Sequence, residues 1–154
     1  MSYDRNNVFA RILRGEIPAH KVFEDEHTLA FMDVMPQADG HVLVIPKAEA
    51  ENVFELPAPA LAATVLTTQR VARAVKKAFD APGILIAQLN GREAGQSVFH
   101  IHFHVVPRYE GLDLRLHARD MADPALLAEH AARVRAAIDQ APSGHQARQT
   151  GRST

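Results

Sequence analysis

Three histidines, His100, His102 and His104, alternate with apolar residues in the run Gly95-Gln96-Ser97-Val98-Phe99-His100-Ile101-His102-Phe103-His104-Val105-Val106-Pro107-Arg108. Side chains alternate across an extended strand, so this spacing predicts a strand from Val98 to Pro107 with three imidazoles on one face. Phe99, Ile101, Phe103 and Val105 then fall on the other face, free to bury against helices. Crowded imidazoles discourage one another's protonation, which keeps at least one neutral and nucleophilic near neutral pH. Metal binding is the chemical rival, because His-x-His pairs on strands are common ligand pairs. The outer two histidines of a strand would lie about 13 Å apart, too far for all three to share one ion. Two of them could hold a metal with a carboxylate, but the sequence singles out no such carboxylate, and no metal is expected.

The elements that must hold this run can be read around it. Asn6 or Asn7 caps a short helix carrying Val8, Phe9, Ile12 and Leu13, stopped by Gly15. Extended runs follow over residues 20–24 and 28–34. The turn-rich segment 36–40 leads into a β-branched strand over 41–46 that ends at Pro46. A long helix is expected over about 58–80, with Leu61, Val65, Val71, Val75 and Phe79 as its apolar stripe. Residues 84–87 read as a buried strand, 90–96 as a loop, and 124–140 as a last helix with Leu126, Leu127, Ala131, Val134 and Ile138 on one side. From Ala141 onward there is almost nothing to bury. The expected organisation is a single domain over 1–140 with a flexible tail over 141–154. Several hairpin-like strands with two main helices indicate an α+β layer fold with an antiparallel sheet.

Composition narrows the function classes. A chain of 154 residues with 47% hydrophobic content and formal net charge −1 has material for one core and no basic run. Nucleic acid and membrane surfaces are therefore not expected partners. There are no cysteines, which excludes disulfides and Cys-ligated zinc. The first seven residues contain no apolar h-region, and no apolar run approaches the ~20 residues that span a bilayer, so a cytoplasmic location is expected.

The run His100-Ile101-His102-Phe103-His104-Val105-Val106 resembles the signature of the histidine triad (HIT) family. The likeness extends, in family order, through Arg14-Gly15-Glu16-Ile17-Pro18-Ala19, Ala30-Phe31-Met32-Asp33, Pro36-Gln37-Ala38 and Gly40-His41-Val42-Leu43-Val44-Ile45-Pro46-Lys47. It covers about Val8 to Arg108. The resemblance implies a HIT-like α+β fold: an antiparallel sheet of about five strands with two main helices. It implies a hydrolase or transferase in which His102 attacks the α-phosphorus of a nucleotide conjugate and forms a covalent nucleotidyl-histidine. His104 would stabilise charge on the phosphate oxygens. His100 and His41 would orient the nucleophile, and Ser97 would meet the leaving group. Gln96 and Ser97 would lie in the loop next to the scissile phosphate, where backbone amides can receive its oxygens, with Gly95 also on the nucleotide. Asp33 matches the carboxylate that binds both ribose hydroxyls, and Phe9, Ile12, Ile17, Phe31 and Leu43 would form the slot for a purine base.

Within the family, His104 and the short chain leave two branches: phosphoramidases and dinucleoside polyphosphate hydrolases. The alternative is a purine-nucleotide-binding signalling module with little catalysis. No cofactor is implied, and a homodimer joined edge to edge through its sheets is. Two departures stand out. Many bacterial relatives hold a structural zinc with two N-terminal cysteines and further histidines. The matching positions here are Asn7, Ala10 and Glu49, so no such zinc is expected, and Val8, Phe9 and Ile12 alone must pack the first helix. The usual loop asparagine is replaced by Leu89, leaving Asn90 or Gln88 as candidate substitutes. His20, His27, His117, His130 and His145 look exposed and receive no chemistry, and Lys47 and Arg108 read as fold or surface residues.

Overall fold

Asn7 starts the chain's first helix, α1 (Val8–Leu13): its side-chain oxygen accepts the amide of Ala10 at 2.9 Å. The structure, a computed structural model, describes residues 2–111 and 120–140, without the side chains of residues 139 and 140. The expected tail over 141–154 lies outside the described residues, as do His117 and His145. After α1 come β1 (Lys21–Glu24), β2 (Thr28–Met32), β3 (Val42–Pro46), α2 (Ala58–Ala78), β4 (Gly83–Gln88), a 3-10 turn (Arg92–Ala94), β5 (Phe103–Arg108) and α3 (Pro124–Gln140). The five strands form one antiparallel sheet in the order β1-β2-β3-β5-β4.

Every residue of β2 and β3 is buried, because both faces of these inner strands are covered. On one face Ala30, Met32, Val42, Val44 and Val105 pack with Val71, Val75 and Val134 of α2 and α3. On the other, Leu29, Phe31, Leu43 and Ile45 pack with Phe9 and Ile12 of α1. Cross-strand register ties the second face to the histidines. Phe31 pairs with Leu43, and Leu43 with His104, so the three stand in one row across β2, β3 and β5.

Three expectations are corrected. The strand carrying the histidines begins at Phe103, not Val98, so His100 and His102 precede it on an irregular segment. Pro46 opposite has no N–H to donate, and its carbonyl accepts from the His100 ring at 2.8 Å, so the ladder to β3 stops there. The three imidazoles therefore do not share a strand face. Second, Val65 is 46% exposed, and the buried stripe of α2 instead includes Thr64, Thr67 and Thr68. The Thr64 and Thr68 hydroxyls donate to the carbonyls of Ala60 and Thr64 one turn earlier (2.7 and 2.8 Å), while that of Thr67 bonds the Thr28 hydroxyl at 2.8 Å. Threonine is buried here with its polar atom satisfied, which a count of apolar residues misses. Third, His130 is buried edge-on against Phe79, with ring centroids 5.1 Å apart, and Leu126 of the expected stripe is half-exposed.

Candidate active site

The second sheet face opens into a cavity of about 540 Å³, a size suited to a small ligand. Its apolar wall contains Phe9, Ile12, Ile17, Phe31 and Leu43, the five residues expected to hold a base, brought together from α1, the following loop, β2 and β3. Phe9 and Phe31 meet edge-to-face at 5.3 Å. Asp33, Ser97, His102 and His104 line the polar side. Val34, Met35 and Val98 also line the cavity and were missed, because each reads singly as an ordinary loop or strand residue.

Hydrogen bonds assign the tautomers, since a carbonyl only accepts and a backbone amide only donates. His102 Nδ1 lies 2.7 Å from the His100 carbonyl and so carries the proton. Burial lowers the pKa of His102, opposed by that same hydrogen bond. A neutral His102 holding its proton on Nδ1 has a bare lone pair on Nε2. Phe9 lies edge-on to the His102 ring at 4.9 Å and helps fix its plane.

The second chain of bonds starts at Gln37, whose amide donates to His41 Nδ1 at 3.1 Å. The His41 proton is therefore on Nε2, donated to His104 Nδ1 at 3.0 Å, which leaves the His104 proton on Nε2. Beside the His102 ring, with centroids 5.0 Å apart, stands an imidazole whose Nε2 is a donor. Opposite tautomers on adjacent rings put a nucleophile beside an electrophilic N–H.

Asp33 follows β2 directly, its side chain 17% exposed and its Oδ2 3.5 Å from His41 Nε2. Burial pushes its carboxyl up to about 6, against the opposing hydrogen bond from the Met35 amide. Ligand atoms of Asp33, His41 and His104 lie within 4.8 Å of one another, which supplies the carboxylate the sequence did not single out for a metal. A metal on His41 Nε2 would force that ring's proton onto Nδ1, against the Gln37 N–H already pointing there. The arrangement suits a fixed tautomer chain better than coordination.

His100 is fully buried behind the cavity, donating from Nε2 to the Pro46 carbonyl. Burial is the main cause that brings its pKa down to about 4, while His41 is lowered by burial and by His104 and His102. These shifts contribute to the pH dependence of stability. Between about 4 and its ordinary 6.5, His100 binds fewer protons folded than unfolded, so its contribution is complete above 6.5 and is lost as the pH falls. His41 and His102 act in the same direction. Asp33, raised from 3.8 to about 6, acts in the opposite direction over that window and offsets part of the loss. At about 1.4 kcal/mol per pKa unit, three imidazoles outweigh one carboxyl. The urea midpoint at pH 4.5 is expected well below that at pH 7; equal midpoints would contradict these assignments.

Two expected contacts are not made with the cavity. Asn90 and Gln88 pair with each other through their amides at 2.7 and 2.8 Å, and Asn90 Oδ1 accepts the Val53 amide. Neither amide lines the cavity. The buried side chain of Gln96 braces its loop, accepting from the Gly91 amide at 2.8 Å and donating to the carbonyls of Glu51 and Val98 at 2.6 and 3.0 Å. Gly95 takes a left-handed φ of 99° that turns the chain toward Ser97. With Arg92, Ser97 and Phe99, Gly95 and Gln96 line a second cavity of about 360 Å³, and Ser97 lines both.

Among the described residues, no helix is long and apolar enough to cross a membrane. Residues 14–111 match the HIT domain. A HIT-like protein of Bartonella henselae involved in cell-cycle regulation is 43% identical, with a TM-score of 0.85 over 89% of this chain and 99% of that one. A zinc-bound histidine triad family protein of Mycobacterium smegmatis is 38% identical, with a TM-score of 0.77 over 88% and 94%. A hypothetical histidine triad nucleotide-binding protein of Sulfolobus tokodaii is 31% identical, with a TM-score of 0.79 over 86% and 91%. The matched span contains the whole paired-tautomer site built from His41, His102 and His104, and on these grounds the chain belongs to the HIT family.

Proposed function

We propose that the protein is a nucleotide hydrolase or transferase that cleaves at the α-phosphate of a nucleoside phosphoramidate or dinucleoside polyphosphate through a covalent nucleotidyl-His102. One observation carries the reading: His102, whose proton is held on Nδ1 so that Nε2 is bare, belongs to the wall of a cavity that also contains an apolar slot. The row Phe31, Leu43, His104 spans two strand spacings, about 10 Å, over which a ribose can separate a base from its phosphate. Asp33 lines the same cavity, its carboxylate 3.5 Å from His41 Nε2, and is suited to ribose hydroxyls. Binding would favour its ionised form and release a proton near pH 6.

In the first step His102 Nε2 attacks the α-phosphorus. A P–N bond forms, and the bond to the leaving nitrogen or oxygen breaks, its electron pair departing with that group. The leaving group takes its proton from solvent through the Ser97 hydroxyl. The adducted imidazole keeps its Nδ1–H and is cationic; the His100 carbonyl stabilises that charge while the cation makes His102 a good leaving group. Water then attacks phosphorus, the P–Nε2 bond breaks, and the nucleoside monophosphate and a proton are released. The His104 Nε2–H stabilises the phosphate oxygens in both steps. The second cavity, beyond Ser97, gives room to the leaving group.

The test is a panel of purine phosphoramidates and dinucleoside polyphosphates. Turnover of either class supports the reading. Tight purine-nucleotide binding without turnover would replace it with the signalling-module alternative. The reading places the protein in the cytoplasm, where nucleotides are abundant and a cysteine-free chain needs no oxidising compartment. A homodimer belongs to the same proposal: β4 is an edge strand with Ile86 half-exposed, beside exposed Val65 on α2. Sedimentation is expected to give a dimer that Ile86→Lys turns into a monomer; a monomeric wild type would remove this part.

A further inference from the structure

The N-terminal residues lie against the histidine cluster from behind. Tyr3, 97 residues away in sequence, directs its hydroxyl at His100 Nδ1, and the two rings meet edge-to-face at 5.6 Å. Because His100 Nε2 must donate to the Pro46 carbonyl, a neutral His100 has an unprotonated Nδ1, and the tyrosine is the donor. His100 is thereby held at both ring nitrogens, and its own carbonyl holds His102. The hydroxyl thus connects, through one residue, to the group that selects the tautomer of the proposed nucleophile.

The same place is where the family likeness would put a structural zinc, and the residues present do not fit one. Ala10 offers no ligand atom. The Asn7 amide is occupied in capping α1 and donating to the Asp4 carbonyl at 2.7 Å. Glu49 pairs with Arg5 at 3.3 Å, and both nitrogens of His100 are engaged.

We propose that Tyr3 is a positioning residue that ties the N-terminal segment to His100 without metal, fixing His100 in its Nε2–H form and so keeping the His100 carbonyl in place for His102. The proposal rests on the catalytic reading of His102, but it has a readout of its own. Nitrogen-15 spectra of the imidazoles in the full-length protein should show His100 protonated on Nε2, with its Nδ1 displaced by an accepted hydrogen bond, and His102 protonated on Nδ1. In Tyr3→Phe, which keeps the ring contact, the His100 Nδ1 signal should move to the position of an unbonded nitrogen. Turnover should fall about tenfold in kcat with KM unchanged, since a slightly misplaced nucleophile slows the step without weakening binding. A wild-type His100 protonated on Nδ1, or a Tyr3→Phe spectrum and kcat identical to wild type, overturns the proposal. So does stoichiometric zinc retained through gel filtration with loss of the Tyr3 bond. Should Tyr3→Phe fail to fold, the wild-type spectrum and zinc content still decide. Failure of the catalytic reading alone would leave the tautomers as described and show no turnover in either protein.

Discussion

His102→Ala is expected to lower turnover of a purine nucleoside phosphoramidate or dinucleoside polyphosphate by about 10,000-fold or more, the scale on which removal of a covalent nucleophile is felt. Binding should survive, because the apolar wall of Phe9, Ile12, Ile17, Phe31 and Leu43, proposed to take the base, is built without His102. The fold should survive as well. The His102 ring is bonded to the His100 carbonyl, and in the space that alanine leaves a water can take that place. Under single turnover the variant should release the leaving group at a rate lower than that of wild type by the same factor. Residual activity within tenfold of wild type would remove His102 as nucleophile, and His104 would be the next candidate.

His104→Ala is expected to cost about 100- to 1,000-fold in kcat with little change in KM, the effect of deleting one preorganised donor to a phosphoryl oxygen. The tautomer chain makes this more than the loss of one imidazole. The Gln37 amide sets His41, and His41 sets His104, so the His104 donor requires no reorganisation as charge builds. His104→Gln keeps an N–H and should recover part of the loss, which separates donor chemistry from packing. Equal kcat values for the alanine and glutamine variants would contradict a donor role. A rise in KM matched by unchanged kcat would move His104 to ground-state binding.

Histidines spaced two apart were legible at once as a chemical site, and the family likeness placed Asp33 and the slot residues where the cavity has them. Strand alternation describes only part of this run. His104, which pairs with Leu43, faces the cavity from the strand, His102 reaches the same cavity from the irregular segment before it, and His100 turns away to the Pro46 carbonyl. The obstacle lies on another strand, in a proline that cannot extend the ladder, and no local periodicity in residues 98–107 reports it. Thr64, Thr67 and Thr68 show a similar limit, since burial of a hydroxyl depends on which carbonyl lies one turn back or which threonine stands opposite. The first helix was expected to rest on Val8, Phe9 and Ile12, yet Val8 is half-exposed. Asn7, and the Arg14 guanidinium donating to the Arg5 carbonyl at 2.6 Å, share the task. Tyr3 carried no signal at all. A polar aromatic residue near an end of the chain gains meaning only when folding brings it to His100.

All of this chemistry turns on whether phosphorus becomes bonded to His102 during turnover. Rapid quenching of the wild-type protein with substrate, followed by peptide mass spectrometry, should find one nucleoside monophosphate on the peptide containing His102, formed and lost at rates that accommodate kcat. Turnover proceeding with that peptide unmodified, or the adduct appearing on another residue, would show that the lone pair on His102 Nε2 is not what attacks.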